Sequence, residues 1–228
     1  FLSSKGCPKS VSPRTPLDPF SLSVFDYSLP EEAIAQRPEP SRESSRLLVL
    51  DRATGKTRHQ HFSDIVHHLR PGDILVVNDS RVRPARLEGT KGSSGGRVSV
   101  LLLKKGDRPG FRDALIKGRP ATGQTLRFEE GIEARVHANC GKGRYILAFE
   151  PSASLDSILD QIGLSPLPPY IRRQPEPQDL IQYQTVFAEH TGSLAAPTAG
   201  LHFTKDLINR VRDTGAEVRS EEHTSELQ

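Results

Sequence analysis

The chain has 228 residues, enough for one large domain or two modest ones. With 35% hydrophobic and 26% charged residues it reads as globular and somewhat polar, and no apolar run approaches the roughly 18 residues a membrane-spanning helix needs. A formal charge of +3 permits a nucleic-acid partner without demanding one, and two cysteines, Cys7 and Cys140, supply neither a disulfide framework nor zinc-ligand spacing.

Taken in chain order, residues 1–22 are rich in Ser, Pro and Lys without apolar periodicity and read as a flexible leader. No charged-then-apolar export signal is present. Residues 25–29 are short and apolar. Pro30 then opens a helical turn whose Glu31 and Glu32 suit the positive end of a helix dipole. Residues 47–50 read as a buried strand, 51–55 as a turn, and the stretch through His59 and Phe62 as a return strand. Ser63 is expected to cap a helix bearing Ile65, Val66 and Leu69. Residues 71–73 end that helix, and 74–77 read as a second buried strand.

From 84 to about 150 the pattern changes. Six strand-like pieces, ARLEGT, GRVSVLLLKK, FRDALIK, TLRFEE, IEARVHA and RYILAFE, alternate with Gly-rich turns and predict a small all-β barrel. Helical spacing returns at Leu155, Ile158, Leu159 and Ile162, with Gly163 as a C-terminal stop. After a Pro-rich stretch a last helix is well specified: Thr204 as N-cap, Asp206 in the first turn, Leu207, Ile208 and Val211 as the apolar stripe, Gly215 as terminator. Residues 216–218 begin a strand. The expected fold class is α/β with an inserted all-β barrel. Residues 23–83 and 151–218 form a discontinuous α/β domain and 84–150 the barrel. Residues 219–228, RSEEHTSELQ, resemble the translation of a sequencing-library adapter and are set outside the fold as a non-native tail.

Four segments carry polar residues of a kind that ligand chemistry uses. The first, QRPEPSRESSR at 36–46, brings Arg37, Arg42 and Arg46 just before a strand, and guanidinium forks bind phosphate and carboxylate bidentately. A solvated charged loop is the plainer reading. The second, NDSRVRPAR at 78–86, follows an apolar strand, where α/β sheets place ligands. An Asx turn into the barrel explains it equally. The third, PPYIRR at 168–173, sets an aromatic beside two arginines, as stacking on an unpaired base requires. A rigid polyproline connector is the alternative. The fourth joins YQTVF at 183–187 to GSLAAPTAGLHFT at 192–204. Small residues there admit close ligand approach, the following helix N-terminus favours an anion such as a carboxylate, and His202 titrates near neutral pH. A packed core histidine is the competing reading of His202. No Walker loop, dinucleotide-binding glycine fingerprint or Ser-His-Asp order occurs.

These motifs, with FDYSLPEEAIAQRPEPSRESSRLLVLDRATG and PGDILVVNDSRVRPARLEG, stand in an order that resembles the S-adenosylmethionine:tRNA ribosyltransferase-isomerases of queuosine biosynthesis (the QueA family), from about Phe25 to Val218. The resemblance implies an enzyme that uses S-adenosylmethionine as ribosyl donor and co-substrate, with no cofactor and no metal. The acceptor is 7-aminomethyl-7-deazaguanine at the tRNA wobble position and the product epoxyqueuosine. On the matched motifs, His202 is the expected acid or base. Asn78, Asp79, Arg81, Arg86, Thr198, Ala199 and Gly200 are expected to bind the donor, and Arg37, Arg42, Tyr170 and Arg172 the tRNA anticodon loop. A cytoplasmic monomer without membrane contact is expected. Family members continue beyond the point matching Val218, so the α/β domain is expected to be incomplete and this polypeptide inactive. A non-catalytic RNA-binding protein with an inserted barrel is the alternative.

Overall fold

The structure is a computed structural model that describes residues 21–105, 110–149 and 155–220. Of the leader at 1–22 residues 1–20, and of the tail at 219–228 residues 221–228, lie outside the described residues. Two compact units are present, one ending at Ala35 and one beginning at Gln36. The first contains two 3-10 turns, Leu22–Phe25 and Glu31–Ala33. Ser21 caps the former through its hydroxyl. Pro30 sits at the N-cap of the latter with Glu31 and Glu32 in its first turn, as the sequence suggests.

The second unit opens with a hairpin, β1 (Arg46–Leu50) against β2 (Thr57–His61). The Asp51 carboxylate accepts from the amides of Ala53 and Thr54 and closes the turn, which holds it below the ordinary carboxylate range. β1 is half-buried on one side only, through Leu47 and Val49, while Leu48 and Leu50 are more than half exposed. The expectation of a fully buried strand is corrected here, because a two-stranded ribbon has a single packed face. The next segment is a 3-10 helix, Phe62–His68. Its N-cap is His61 rather than Ser63, and the Asp64 carboxylate returns the contact by accepting from the His61 amide. β3 (Ile74–Val77) is likewise open on one face, with Ile74 and Val76 about half exposed.

Then comes β4 (Ser80–Val82), a short strand within the segment 78–86 that the sequence leaves open between a ligand contact and an Asx turn. The barrel follows as β5 (Arg86–Lys91), β6 (Arg97–Lys105), β7 (Phe111–Lys117), β8 (Thr125–Arg127), β9 (Glu133–Asn139) and β10 (Arg144–Phe149). The strands close in the order β10-β7-β6-β5-β8-β9, all antiparallel. These are the six pieces read from alternation. Leu87, Val98, Val100, Leu102, Leu126, Val136 and Leu147 point inward and are almost wholly buried.

Helix α1 (Leu155–Ile162) packs Ile158 and Leu159 into the same core. Gly163 ends it, but for a reason other than a left-handed turn. A Cβ at Gly163 would stand 2.2 Å from the Pro84 carbonyl oxygen and 2.3 Å from that of Leu159. Only a residue without a side chain lets α1 meet the entry to β5 this closely.

The chain then forms α2 (Asp179–Gln182), β11 (His190–Ser193), the 3-10 turn Thr198–His202, α3 (Lys205–Asp213) and β12 (Glu217–Ser220). β11 pairs parallel with β4, and β12 parallel with β3. α3 matches its local signals: Thr204 accepts from the Leu207 amide, Leu207, Ile208 and Val211 are buried, and Gly215 adopts φ 85°. β12 runs two residues past Val218. Barrel, parallel pairs and few helices agree with the expected α/β class at that level. No described helix is long and apolar enough to cross a membrane.

Candidate active site

The parallel pairs bring the second and fourth polar segments together. Asp79 follows β3, and its carbonyl accepts from the amides of Glu189 and His190. β4 and β11 then run side by side, Ser80 opposite His190 and Arg81 opposite Thr191. Gln184 completes the junction. Its amide side chain accepts from the Val82 N–H at 3.0 Å and donates to the Val82 carbonyl at 2.7 Å, standing in for a strand neighbour. Sequence reasoning passed over Gln184, since nothing local marks a side chain that copies a backbone.

Asp79 is mostly buried and lies 3.4 Å from the Nδ1 of His190. Both line an open groove of about 840 Å³ with Val77, Phe187, Glu189, Arg212 and Ser220. Val77 and Ser220 are the last residues of β3 and β12, so the groove opens at the C-terminal ends of parallel strands, where α/β sheets present ligands. Asn78 accepts from the Ser80 amide at 2.9 Å, the Asx turn that the sequence allowed. Arg81 donates to the Ala188 carbonyl. Arg86 lies apart from the groove. It joins β5 to residues 164–167 through the Leu164 backbone and the Leu167 carbonyl, and its buried Nε has no described partner.

His202 belongs to a second cluster. Its Nδ1 is 3.0 Å from Ser45 Oγ and its ring tilts against Phe62 at 5.0 Å. Burial, the largest influence, lowers its pKa below the ordinary histidine value; the nearby Arg42 backbone opposes this. Phe62 in turn meets Phe203, and Phe203 meets Phe187, which borders the groove. His202 itself is not among the residues that line the groove with Asp79. Thr198 and Ala199 are exposed on the turn ahead of His202, while a Cβ at Gly200 would stand 3.0 Å from the Thr185 methyl and 3.8 Å from the Phe187 ring.

Arg42 donates to the carbonyls of Leu201, Ile181 and Gln182, with burial depressing its pKa. It ties the His202 turn to α2. Arg37 forms a two-pronged pair with Glu176 at 2.9 and 2.6 Å, and Gln36 holds the Tyr170 carbonyl and the Arg172 amide. Beneath them Arg173 grips the buried Asp179 at 2.7 and 2.6 Å. Tyr170 is about half exposed beside this framework. The first and third segments thus converge, as a structural lock with Tyr170, Arg37 and Arg172 on its surface.

The helix N-terminus expected to favour a carboxylate has one of the protein's own beside its cap. Glu43 accepts from the Thr204 hydroxyl and from Arg210. An internal carboxylate thus stands beside the Thr204 cap at the start of α3, where the helix dipole favours negative charge. We expect Glu43→Ala to lower stability by about 1–2 kcal/mol in urea melts, through loss of this brace on the cap. Among the described residues no three His, Cys, Asp or Glu side chains group as a metal site.

Comparison with known proteins bears on both clusters. The model of a family described as queuosine biosynthesis protein matches residues 22–220. Two relatives from Clostridium kluyveri strains, each named S-adenosylmethionine:tRNA ribosyltransferase-isomerase, are 44% identical over 196 residues, covering 85% of this chain and 57% of their own length. A solved structure of S-adenosylmethionine tRNA ribosyltransferase from Thermotoga maritima shares 30% identity, covers 86% of this chain and 56% of that one, and superposes with a TM-score of 0.34. The chain thus spans little more than half the length of the relatives it matches. Since the family match takes in β1 through β12, and with them both clusters, the chain belongs to the queuosine biosynthesis protein family.

Proposed function

We propose that these residues serve an enzyme that transfers and isomerises the ribosyl moiety of S-adenosylmethionine onto 7-aminomethyl-7-deazaguanine at the tRNA wobble position. Epoxyqueuosine is formed, and adenine and methionine leave. The observation that carries this reading is the 44% identity over 196 residues to proteins bearing that name. The groove at the ends of β3 and β12 supports it as a donor site.

The chemistry follows from the sulfonium, which acidifies the ribose 5′-carbon. A base takes that proton, the ribose opens, and the bond from C1′ to adenine breaks as adenine gains a proton. The aminomethyl nitrogen bonds to the opened sugar. Epoxide closure then breaks the carbon–sulfur bond and releases methionine. The protein must hold donor and acceptor together and move protons. His202, whose pKa burial lowers, is the base proposed from its place in the matched motif; it stands outside the groove lining and is joined to it through Phe62, Phe203 and Phe187, so the donor must extend beyond the groove to meet it. Asp79 in the groove, with Asn78 and Arg81 beside it in the chain, is assigned to the nucleoside, and Thr198, Ala199 and Gly200, on the His202 turn outside the groove lining, are assigned to the donor by their place in the matched motif. Arg37, Tyr170 and Arg172 face the anticodon loop. Arg42, its donors taken by carbonyls, positions the His202 turn.

The test transplants residues 22–220 of this chain into the Clostridium kluyveri relative in place of the matching segment. Adenine release and tRNA nucleosides are measured, with a thermal melt to establish folding. The chimera is expected to form epoxyqueuosine with one adenine per turnover. His202→Ala within it is expected to lower kcat about 10²–10⁴-fold. The neutral ring is the active form, so activity falls as pH drops through a value below about 6.5, and His202→Ala abolishes that limb. A folded chimera that releases no adenine overturns the reading; one that binds tRNA without releasing adenine favours a non-catalytic RNA-binding protein. Unchanged turnover in His202→Ala removes the base assignment alone.

A further inference from the structure

Charge is unevenly spread along this chain. Between Arg86 and Phe149 stand thirteen Lys and Arg against six Asp and Glu, a formal +7 within a chain of +3. The barrel thus carries the whole positive excess and the remainder is net acidic, an asymmetry that marks a polyanion-facing part. The fold concentrates it further. Three connections, residues 91–97, 117–124 and 139–144, gather at one end of the barrel. The Gln124 side chain donates to Ser93 Oγ at 2.7 Å, and the Ile116 amide donates to the Gly143 carbonyl at 2.8 Å. β5 starts at the Leu164 contact beside α1 and finishes at Lys91, so this end lies opposite α1.

The three connections contain Lys91, Arg97, Lys117, Arg119, Lys142 and Arg144, and no Asp or Glu. Arg144 pairs with Asp113 at 2.5 Å, whereas the other five have no described carboxylate partner. Arg97, Lys117, Arg119 and Lys142 are exposed. Lys117, Arg119 and Lys142 border a concavity of about 450 Å³ floored by the buried Tyr145. Arg119 and Lys142 hold φ of 48° and 49°, left-handed backbone that side-chain-bearing residues seldom adopt.

We propose that this barrel end docks the phosphodiester backbone of the tRNA, away from the base being modified. The inference rests on the proposed tRNA substrate and adds a second contact to it. Backbone rather than bases is indicated because the three connections hold no Phe, Tyr or Trp for stacking. They hold instead cations with Ser, Thr, Asn and Gln donors, the groups that meet phosphate oxygens without reading sequence.

The test measures tRNA binding by the whole 228-residue chain over roughly 50–300 mM salt, a range across which phosphate contacts change affinity steeply. The variant Lys117→Gln/Arg119→Asn/Lys142→Asn is compared with a charge-matched control on the β1–β2 hairpin, Arg52→Gln/Lys56→Gln/Arg58→Gln; asparagine tolerates the left-handed positions. The rim variant is expected to bind on the order of ten- to a hundredfold more weakly near 0.1 M salt, with the log–log salt slope reduced by about three. The control is expected to match the parent. Arg97→Gln, which touches no left-handed residue, is expected to reduce the slope by about one and carries the test if the triple variant does not fold. Equal binding by parent and rim variants overturns the inference and leaves the proposed function standing. Equal loss in rim and control variants also overturns it, because net charge alone then acts. A loss confined to phosphatidylserine vesicles, with tRNA binding unchanged, assigns the rim to membranes and overturns it. A parent chain that binds no tRNA fails the proposed function first, and this inference with it.

Discussion

Arg173→Ala is expected to cost about 3–5 kcal/mol of folding stability, the range for removing one partner of a buried ion pair. The Asp179 side chain is only 5% exposed, and Arg173 at 17% is nearly as enclosed. Two parallel N–H···O contacts join them, and the Glu176 amide donates a third to the same carboxylate. Taking away the guanidinium leaves a buried carboxylate with one donor. Taking away the carboxylate, in Asp179→Ala, leaves Arg173 with the Gln36 and Gln174 carbonyls as acceptors, so a smaller loss is expected. The double variant is expected to lose less than the two single losses added, because the shared contact is removed once.

The pH dependence has a definite sign. Hydrogen bonding from Arg173 is the main influence holding the Asp179 carboxyl below its ordinary value, against the opposing effect of burial. A carboxyl with a depressed folded pKa contributes stability that is complete above its unfolded value of about 3.9 and is lost as pH falls through the lower folded value. Urea midpoints of the parent chain should therefore drop below about pH 4, and that component should vanish in Asp179→Ala. The site would feel the loss. Arg173 also holds the Gln36 carbonyl, and Gln36 holds the Tyr170 and Arg172 backbone, so the proposed tRNA-facing side chains lose their base together.

Gly163→Ala is the second large effect. The added Cβ would meet two backbone oxygens, at 2.2 and 2.3 Å, and neither can swing away as a side chain would. One of them, from Pro84, begins the segment that enters β5. Helix α1 must therefore move off the barrel core, where Ile158 and Leu159 are buried. A loss of about 3 kcal/mol is expected, the upper end for overpacking. Gly192→Ala serves as comparison. A Cβ there meets nothing within 4 Å, and a change within about 0.5 kcal/mol is expected. Equal melting of the two variants would refute the close approach of α1 to Pro84.

How much was legible depended on how local the physics was. The barrel strands could be read because alternation reports a buried and an open face within each short stretch, and Gly-rich turns punctuate them. α3 could be read because its cap, stripe and terminator lie within twelve residues. β4 and β11 could not. They are three and four residues long, polar, and exist as strands only because each has the other, with Gln184 supplying part of a third ladder. The one-sided exposure of β1 and β3 was missed for a related reason, since an apolar run does not say how many neighbours will cover it.

At the site the division is the same. Motif order resembles the queuosine biosynthesis family, and the family match extends that resemblance over residues 22–220. Tertiary structure decided which of those residues are committed elsewhere. It turned Arg42 into a tether for three carbonyls, set Glu43 against Thr204 and Arg210 at the start of α3, set Asp79 in a groove with His190, and packed His202 against Phe62 outside the groove lining. A side chain's chemistry is written in its identity. Whether its donors, charge and accessible surface remain available is settled by partners that arrive from more than a hundred residues away, and only the folded chain brings them within reach.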